Sequence, residues 1–487
     1  MPKLGTMPFI RYKKIGQNEY AYKITPYWDP KTKQPKQKTQ YLGKVINKEK
    51  HQYQKNQPKE KQILDFGDTY LLETLYKQTG LTNLLNQTLK QAAETTQTLI
   101  HYKLCNNAAL RHTQKWHQGN YLSLKTNNQN LTSQKISTHL KTLANPTLQK
   151  TFFQTYIPQL PNTKQGIIID GSSLPNQIHN HLTTWGRSGE EIDKQIRFLL
   201  AVDRDQHLPL FFRTLPGNII DVSTLQNTIY ELKHYGIKEA FLYLDAGFFS
   251  DNNLCQMYEN KLDFIIRLPS NRKLYKRLIE QHGRELERRE NIVAYGERGL
   301  FVKEVEVDLL GHRAFAYLVL DPVRRGREMS RFLRNNVADS SGGGDDGGGV
   351  LSCGGEEVDF GILVKGVMVV VSSFRFLKEE VVPSYYVRQV AETFFGFSKD
   401  DLGLVPLRVH SEESVHGFLF LQFLVLVAFL QLKKQLGKKY TVEEVLLSMR
   451  NLKCKVYDKE ILVEELTKDQ KEITETLNII VPKTLGI

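Results

Sequence analysis

The chain has 487 residues, enough for more than one domain, and its four scattered cysteines include no Cys-x-x-Cys pair, so that neither a zinc site nor a disulfide framework is indicated. Its formal net charge of +13 arises entirely in the first third, because residues 1–165 hold 25 Lys and Arg against eight Asp and Glu. This asymmetry predicts a polyanionic partner, most commonly nucleic acid, although solvated surface lysines are the alternative.

Neither secretion nor a membrane span is indicated by the apolar segments. No long apolar run follows the basic residues Lys3 and Arg11, so we predict no signal peptide. The most apolar stretch, residues 417–432, is shorter than the ~20 residues that a span requires, and it contains Gln422 and Gln431. We therefore expect a buried core helix there, no membrane partner, and a cytoplasmic, nucleoid-associated protein.

Residues 1–62 predict a basic front end made of a β-hairpin and a linker. Alternating segments at 20–24 and 39–42 predict two strands joined by a lysine-rich turn at 29–36. Lysines interleaved with aromatic residues suit contact with a phosphate backbone, although an ordinary surface hairpin has the same pattern. The polar residues 46–62 are typical of a linker.

Residues 63–160 carry leucines at helical spacing, which predicts a small helical DNA-binding domain.

The pattern of residues 161–270 predicts the first part of an α/β core. Its strands are expected at 166–170, 196–203, 208–214, 239–245 and 263–268, and its helices at 221–235, capped by Asp221, and at 250–260. Three strands in a row, followed by alternating helix and strand, match a mixed sheet of ribonuclease-H type.

The sequence of residues 271–380 predicts an inserted, mainly β subdomain, because it contains two segments in which apolar and polar residues alternate as in strands. A Gly-rich tract follows at 340–357, which is typical of a flexible loop. Two adjacent aspartates in that tract, at 345–346, are not assigned to a metal, since a flexible loop does not preorganise ligands. Residues 381–440 then predict the second part of the core. Residues 441–487 predict a C-terminal helical segment.

Two of the predicted core strands end at a carboxylate. The apolar run at 166–169 stops at Asp170, and the run at 240–244 stops at Asp245. Charges rarely end buried strands unless something pairs with them. Because two neighbouring carboxylates repel each other, a divalent cation is the predicted partner.

A predicted helix at 384–396, with Ser384 as its N-cap, places four polar residues on one stripe. At ~100° per residue, Tyr385, Arg388, Glu392 and Lys399 fall on one side, opposite an apolar face. A solvated face with an Arg388–Glu392 salt bridge is the alternative. Together with the two aspartates, Glu392 supplies the oxygen ligands that Mg²⁺ or Mn²⁺ prefers, while the other three are phosphate-binding groups.

These residues resemble a known family. Tyr385-x2-Arg388-x3-Glu392-x6-Lys399 resembles the Tyr–Arg–Glu–Lys signature of the IS-four superfamily of DDE insertion-sequence transposases. Asp170 resembles the first acid of that family, and the Asp-Ala-Gly-Phe segment at 245–248 resembles its Asp-x-Gly-aromatic motif. The segment at 215–221 is similar to its Pro-Gly-Asn-x-x-Asp segment.

The resemblance implies a ribonuclease-H-like core with a β-rich insertion, in which Asp170, Asp245 and Glu392 are the catalytic acids and metal ligands. It implies Mg²⁺-dependent or Mn²⁺-dependent cleavage of double-stranded transposon inverted-repeat ends, strand transfer into target DNA, and a homodimer in the DNA complex. Tyr385, Arg388 and Lys399 would hold DNA phosphates. Some relatives stack a flipped base on a Trp of the insertion, but the three tryptophans lie outside it here, at Trp28, Trp116 and Trp185.

Two further arginines, Arg187 and Arg197, are predicted to line the DNA path. The chemistry expected is in-line displacement assisted by two metals. A metal-dependent nuclease that cuts without joining, and a catalytically inactive DNA-binding protein derived from a transposase, remain the alternatives.

Overall fold

The computed structural model describes residues 7–30, 32–54, 60–126, 129–160, 166–178, 180–188, 191–218, 224–237, 240–338, 355–409, 411–458 and 460–486. The chain divides into two compact units. The first consists of Met1–Leu64, Lys453–Glu465 and Pro482–Ile487. The second consists of Asp65–Leu452 and Leu466–Val481.

The described strands are β1 Phe9–Ile15, β2 Asn18–Asp29, β3 Gln34–Asn47, β4 Gln52–Gln54, β5 Gln62–Asp65, β6 Ile167–Pro175, β7 Thr184–Ser188, β8 Glu191–Asp203, β9 Pro209–Pro216, β10 Phe241–Leu244, β11 Asp263–Arg267, β12 Ile292–Tyr295, β13 Arg298–Leu309, β14 His312–Leu320, β15 Val367–Ser372, β16 Lys453–Val456, β17 Ile461–Val463 and β18 Thr484–Leu485. The described α-helices are α1 Gly67–Gln78, α2 Leu81–Leu89, α3 Ala93–Asn106, α4 Thr113–Gln118, α5 Leu122–Lys125, α6 Ser133–Leu143, α7 Pro146–Tyr156, α8 Leu225–His234, α9 Asp251–Glu259, α10 Lys273–His282, α11 Pro322–Ala338, α12 Gly355–Leu363, α13 Lys378–Tyr386, α14 Gln389–Gly396, α15 Glu412–Leu436, α16 Val442–Arg450 and α17 Lys468–Thr476.

The first unit contains two antiparallel sheets. One has the order β1-β2-β3-β4, and its long β2–β3 pair is the predicted hairpin. The other has the order β18-β17-β16-β5, so strands from distant parts of the sequence share it. The prediction of a helical segment at 441–487 is therefore wrong in part, because this segment contains the strands β16 to β18 as well as the helices α16 and α17. The predicted linker at 46–62 likewise contains β4 and the start of β5 among its described residues.

Helices α1 to α7 occupy residues 67–156 of the second unit, in agreement with the predicted helical character of 63–160. Their leucines point inward, and those that begin the pattern, such as Leu71, Leu72 and Leu75, are fully buried. Helix α7 begins at Pro146, where the side chain of Asn145 accepts hydrogen bonds from the first free amides.

The second unit also contains a large mixed sheet, which has ten strands within the described residues. At its centre the order is β9-β8-β6-β10-β11, with β9, β8 and β6 antiparallel and β6, β10 and β11 parallel. Helix α9 connects the parallel strands β10 and β11, as parallel pairing requires, and α8 leads from β9 into β10. This arrangement is consistent with the predicted ribonuclease-H type of sheet. Helix α8 is described from Leu225, and the predicted cap Asp221 lies outside the described residues.

The prediction of a separate, mainly β subdomain at 271–380 requires correction. Strands β12, β13 and β14 continue the central sheet, because β14 pairs with β15 and β15 pairs with β11. Three helices, α10, α11 and α12, also belong to this segment. Most of the Gly-rich tract predicted as a loop, residues 339–354, lies outside the described residues.

Helix α15 is the central helix of the second unit. It spans 25 residues, longer than predicted, and is long and apolar enough to cross a membrane by length and composition alone. However, 89% of its most apolar window is buried inside the protein, as expected for the predicted core helix. Gly417 allows close packing on α6, since a Cβ at this position would lie 2.6 Å from the carbonyl carbon of Leu140.

Candidate active site

Asp170 and Asp245 lie side by side in the large sheet. The parallel register pairs Leu244 with Ile169, so the next residue along each strand is an aspartate. Asp170 is 8% exposed and accepts a hydrogen bond from the Gly171 amide at 3.0 Å, whereas Asp245 is half-buried where β10 ends. The fold therefore brings the two carboxylates together as predicted, but Asp170 does not end its strand, because β6 continues to Pro175.

The helix that carries the third acid is broken in two. Helix α13 begins at Lys378 rather than at Ser384, which lies inside it, and α14 begins at Gln389. Between them the backbone tightens, because Arg388 donates its amide to the Tyr385 carbonyl three residues back. Helix α14 is anchored by its apolar side, where Phe395 contacts Phe198 of β8 with ring centroids 6.1 Å apart.

The guanidinium of Arg388 lies among all three predicted acids. Its Nη1 is 3.1 Å from Asp170 Oδ2, and its Nη2 is 2.7 Å from Glu392 Oε1 and 3.8 Å from Asp245 Oδ1. Its Nε is buried without a hydrogen-bond partner. A single cation therefore offsets the repulsion among three carboxylates. The Arg388–Glu392 pair is thus part of a network and differs from an isolated surface pair.

Burial raises the pKa of Asp170 to about 7, even though the Arg388 guanidinium beside it acts in the opposite direction. Asp245 adds to the rise through like-charge repulsion. Burial also lowers the pKa of Arg388, but the carboxylates around it, led by Asp170, outweigh that effect and leave this pKa above its ordinary value. Arg388 is accordingly charged at every relevant pH, whereas Asp170 can hold a proton near neutrality.

Tyr385 completes the site from α13. Its hydroxyl donates a hydrogen bond to Asp245 Oδ1 at 3.4 Å, and its ring centroid lies 6.0 Å from the guanidinium carbon of Arg388. Burial and the charge of Asp245 raise its pKa well above the ordinary value. The phenol is therefore a neutral hydrogen-bond donor within this site.

Among the described side chains, no group of three or more His, Cys, Asp and Glu residues is close enough together to hold a metal ion. Asp170, Asp245 and Glu392 instead converge on the Arg388 guanidinium. Their donor atoms nevertheless fit a hard divalent cation, since all three supply carboxylate oxygens around a point that already holds positive charge.

The remaining predicted residues lie elsewhere. Lys399 is half-buried in a π-helical turn, Phe397–Asp401, that continues directly from α14. Arg187 is on β7, and its side chain lies outside the described residues. Arg197 pairs with Ser173 in the β6–β8 register, three residues along the strand from Asp170. Because alternate residues face opposite sides of a sheet, Arg197 lies on the other side from Asp170 and is not part of the cluster.

One residue near the site is absent from the sequence predictions. Arg267 ends β11, directly after Ile266, which pairs with Leu244 in the parallel register. Its charge lowers the pKa of Tyr385, against the larger effect of burial. The same sequence pattern that marks the two aspartates also marks Arg267, because an apolar run stops at a charged residue. In this case the charge is positive.

Known proteins share the segment that carries this site. Residues 161–428, more than half of the chain, match the family model described as Transposase DDE domain. No curated protein matches the chain. A similar solved structure is the cryo-EM structure of piggyBac transposase synaptic complex with hairpin DNA, with a TM-score of 0.39 and 10% identity. The similarity covers 66% of this chain and 59% of that one, so the chain spans about three fifths of its length.

Proposed function

The chain belongs to the Transposase DDE domain family, and on that premise we propose that it is a DNA transposase of the IS-four superfamily. It binds the inverted-repeat ends of a transposon as double-stranded DNA, cleaves them and joins them to target DNA. The observation that carries this proposal is the convergence of Asp170, Asp245 and Glu392 on the Arg388 guanidinium. Asp170 lies within β6, and Asp245 directly follows the parallel strand β10.

In this proposal the three carboxylates hold Mg²⁺ or Mn²⁺, the cations that prefer oxygen ligands. Two such ions would activate the attacking water or 3′-hydroxyl and stabilise the leaving oxygen of an in-line displacement. Asp170 is the most deeply buried ligand, and Asp245 and Glu392 are more accessible. The buried acid fixes the position of the site in the sheet, while the other two face the incoming DNA.

Arg388 leaves the carboxylates when the site is loaded, since its guanidinium fills the space between them. A planar guanidinium on a flexible stem then provides a bidentate contact for a DNA phosphate. Tyr385 and Lys399 hold neighbouring phosphates, the first by its hydroxyl and the second by its charge. Arg187 contributes to the DNA path from β7.

The architecture around the site, the oligomeric state and the location of the reaction are proposed from the same family membership. The ribonuclease-H-like core positions the acids, and the segment 271–380 extends its sheet through β12, β13 and β14. Two copies pair two transposon ends, and the reaction takes place in the cytoplasm at the nucleoid. The basic front end supports DNA binding through its charge.

The proposal is tested with a plasmid that carries the DNA flanking both sides of the gene, incubated with Mg²⁺ or Mn²⁺ and a target plasmid. Asp170→Asn, Asp245→Asn and Glu392→Gln should each abolish cleavage and joining, because each removes a ligand charge, while binding to the flanking DNA is retained. Asp251→Asn, which changes an exposed aspartate of α9, is the matched control.

The DNA products formed by the unaltered protein distinguish the three candidate functions. Cut and joined DNA supports a transposase, cut DNA without joining supports the nuclease alternative, and binding without cleavage by the unaltered protein supports an inactive derivative. Normal cleavage by any of the three acid variants would overturn the assignment of the site.

A further inference from the structure

A cavity of about 780 Å³ lies in the second unit, away from the carboxylate cluster. Its walls come from α3, α6, the segment 403–409 and the first turns of α15. The segment 403–409 begins two residues after the π-helical turn that carries Lys399. None of the residues that line the cavity belongs to the site described above.

The lining of this cavity is basic. Lys103, Arg111, Lys141 and Arg408 line it, and no Asp or Glu is present among its described lining residues. Lys141 is paired at 3.4 Å with Glu413, so part of its charge is offset. Four serines and an asparagine add neutral hydrogen-bonding groups, namely Ser133, Ser137, Ser411, Ser414 and Asn107. The chemistry of these walls suits an oxygen-rich anion.

Lys103 is the unusual member, because it is only 3% exposed. Its ammonium donates a hydrogen bond to Asn107 Oδ1 at 3.1 Å, and no described carboxylate forms an ion pair with it. Burial, together with the charge of Arg408, lowers its pKa to about 8. A buried ammonium without a counter-ion is costly to the folded state.

The backbone around Lys103 is shaped to accommodate this arrangement. Gly403 has a φ of +57°, and a Cβ there would lie 2.6 Å from Asn107 Oδ1 and 3.1 Å from Lys103 Nζ. Arg408, which follows Gly403 along the same wall, also has a positive φ of 52° although it is not a glycine. Gly403 and Arg408, which both adopt a left-handed backbone conformation, therefore shape the segment that faces the buried ammonium of Lys103.

We propose that this cavity binds a phosphate group, with Lys103 and Arg408 as its main cationic contacts. The anion supplies the counter-charge that Lys103 lacks, and the serine hydroxyls complete its hydrogen bonds. The cavity is larger than a lone phosphate requires, so an organic part attached to the phosphate fits beside it against Phe418. The phosphate is carried either by a DNA strand or by a free nucleotide or phosphate ion. As a DNA contact the site rests on the proposed function and adds a phosphate contact to it, whereas binding of a free nucleotide or phosphate ion goes beyond that function. Neither requires DNA cleavage.

The test compares the unaltered full chain with Lys103→Met, Arg408→Gln and the control Lys135→Met, which changes an exposed lysine of α6 outside the cavity. One arm measures the rise in Tm caused by inorganic phosphate against chloride at equal ionic strength. The other arm measures binding of a fluorescein-labelled duplex of arbitrary sequence by anisotropy at several salt concentrations. No metal is added in either arm.

We expect Lys103→Met and Arg408→Gln to weaken binding about tenfold, because each removes a charged group that touches the anion, while Lys135→Met changes nothing. In the duplex arm, the slope of log affinity against log salt should fall by about one for each phosphate that is no longer neutralised. Lys103→Met should also raise Tm without ligand, since it removes the buried charge and keeps the side-chain volume. Arg408 is exposed, so its variant tests the site even if Lys103→Met fails to fold.

Weaker binding in the duplex arm alone identifies a DNA phosphate as the ligand, and weaker binding in the phosphate arm identifies a small anion. Unchanged binding of both probes by both variants would overturn the proposal, as would a failure of the unaltered protein to bind either probe. A negative cleavage assay leaves these results intact, because the phosphate arm contains neither DNA nor metal.

Discussion

In the proposed metal site, Arg388 occupies the space that a divalent cation would need, because its guanidinium nitrogens lie 2.7 to 3.8 Å from oxygens of all three acids. Without it, three carboxylates would face each other in a half-buried site, which like-charge repulsion disfavours. The guanidinium therefore stabilises the metal-free protein and competes with metal for the same ligands. Because of these two roles, a neutral substitution of Arg388 should lower the stability of the metal-free protein and raise its affinity for metal.

We predict that Arg388→Gln lowers the Tm of the metal-free protein and raises its affinity for Mn²⁺ by about tenfold, or about 1.4 kcal/mol. The repulsion among the acids is then relieved only by the ion, so Mn²⁺ should raise Tm more in the variant than in the unaltered chain. Mn²⁺ titration followed by electron paramagnetic resonance measures the affinity directly, without any cleavage assay.

The control for this prediction is the double variant Arg388→Gln, Asp170→Asn, which should lose the gain in affinity because a ligand is missing. An Mn²⁺ affinity of Arg388→Gln equal to that of the unaltered protein would show that the arginine does not compete for the carboxylates.

At this scale the sequence predicts which acids converge, because an apolar run that stops at a charge is visible without coordinates, even though β6 itself continues past Asp170 to Pro175. It does not predict that Arg388 is their shared partner, since that depends on the β6–β10 register and on the break before α14. Arg197 is predicted to line the DNA path, although the antiparallel register sets it opposite Ser173, on the other side from Asp170. Register is a property of two strands, and one sequence segment does not contain it.

Two histidines in helices of the second unit, the buried His101 and the half-buried His139, have strongly depressed pKa values. Burial lowers the pKa of His101 in α3 to about 4, and it lowers that of His139 in α6 to about 4 as well. His139 shares a hydrogen bond with Thr96, 3.0 Å away, whereas both ring nitrogens of His101 are buried without a partner. Protonation of either ring therefore opposes packing of these helices.

The sign of the pH dependence follows from these values. Between pH ~4 and ~6.5 the unfolded chain binds a proton at each of these positions that the folded chain does not, so the free energy of unfolding falls as the pH falls through this window. His101→Leu should remove about 2 kcal/mol of that decrease between pH 7 and pH 4.5, because the unfolded variant no longer binds a proton there that the folded protein excludes. Urea unfolding followed by circular dichroism at pH 7 and pH 4.5 measures the difference.

His112→Leu is the matched control, since His112 is exposed at the start of α4. An equal decrease of stability on acidification in His101→Leu and in the unaltered chain would contradict the assignment of this pH dependence to the buried ring.

At the scale of elements, most of the core strands and helices are predictable because their apolar runs have a clear length and end at turn residues. The α13–α14 region shows where this fails. Pro383 suggests a helix start, yet it lies inside α13, where its carbonyl accepts the Val387 amide. A proline is tolerated wherever the amide that it lacks is not needed, and sequence alone does not reveal which turn that is.

The molecule as a whole concentrates its positive charge in the first third, and the sheet β1 to β4 holds much of it on exposed lysines. Such a surface binds DNA by displacing counter-ions, so each lysine that neutralises a phosphate adds to the salt dependence. We predict that Lys38→Gln, Lys44→Gln lowers the slope of log affinity against log salt by about one for each of the two lysines that neutralises a phosphate. Fluorescence anisotropy with duplex DNA over a salt series checks this.

The comparison for this prediction is Lys468→Gln, Lys471→Gln, an equal change of charge on the exposed side of α17. If both double variants lower the slope equally, the effect belongs to net charge alone and the front-end sheet has no special part in binding.

Domain boundaries are the least predictable feature of the whole chain. Composition changes abruptly near residue 271, which suggests a separate subdomain, but β15 pairs with both β11 and β14 and so joins the two segments in one sheet. The same limit applies to 441–487, whose strands complete a sheet with β5. Pairing between distant segments is set by tertiary contacts, which composition does not record.

The sheet that β5 forms with β16, β17 and β18 has a consequence for how the protein is made. A chain emerges from the ribosome from its N-terminus, and domains generally fold as their residues become available. Strand β5 is translated before nearly all of the second unit, whereas its partners are translated after most of it. The first unit therefore reaches its final fold only once Asp170, Asp245 and Glu392 have been synthesised. A product of interrupted translation carries the basic β1–β4 sheet without this second sheet.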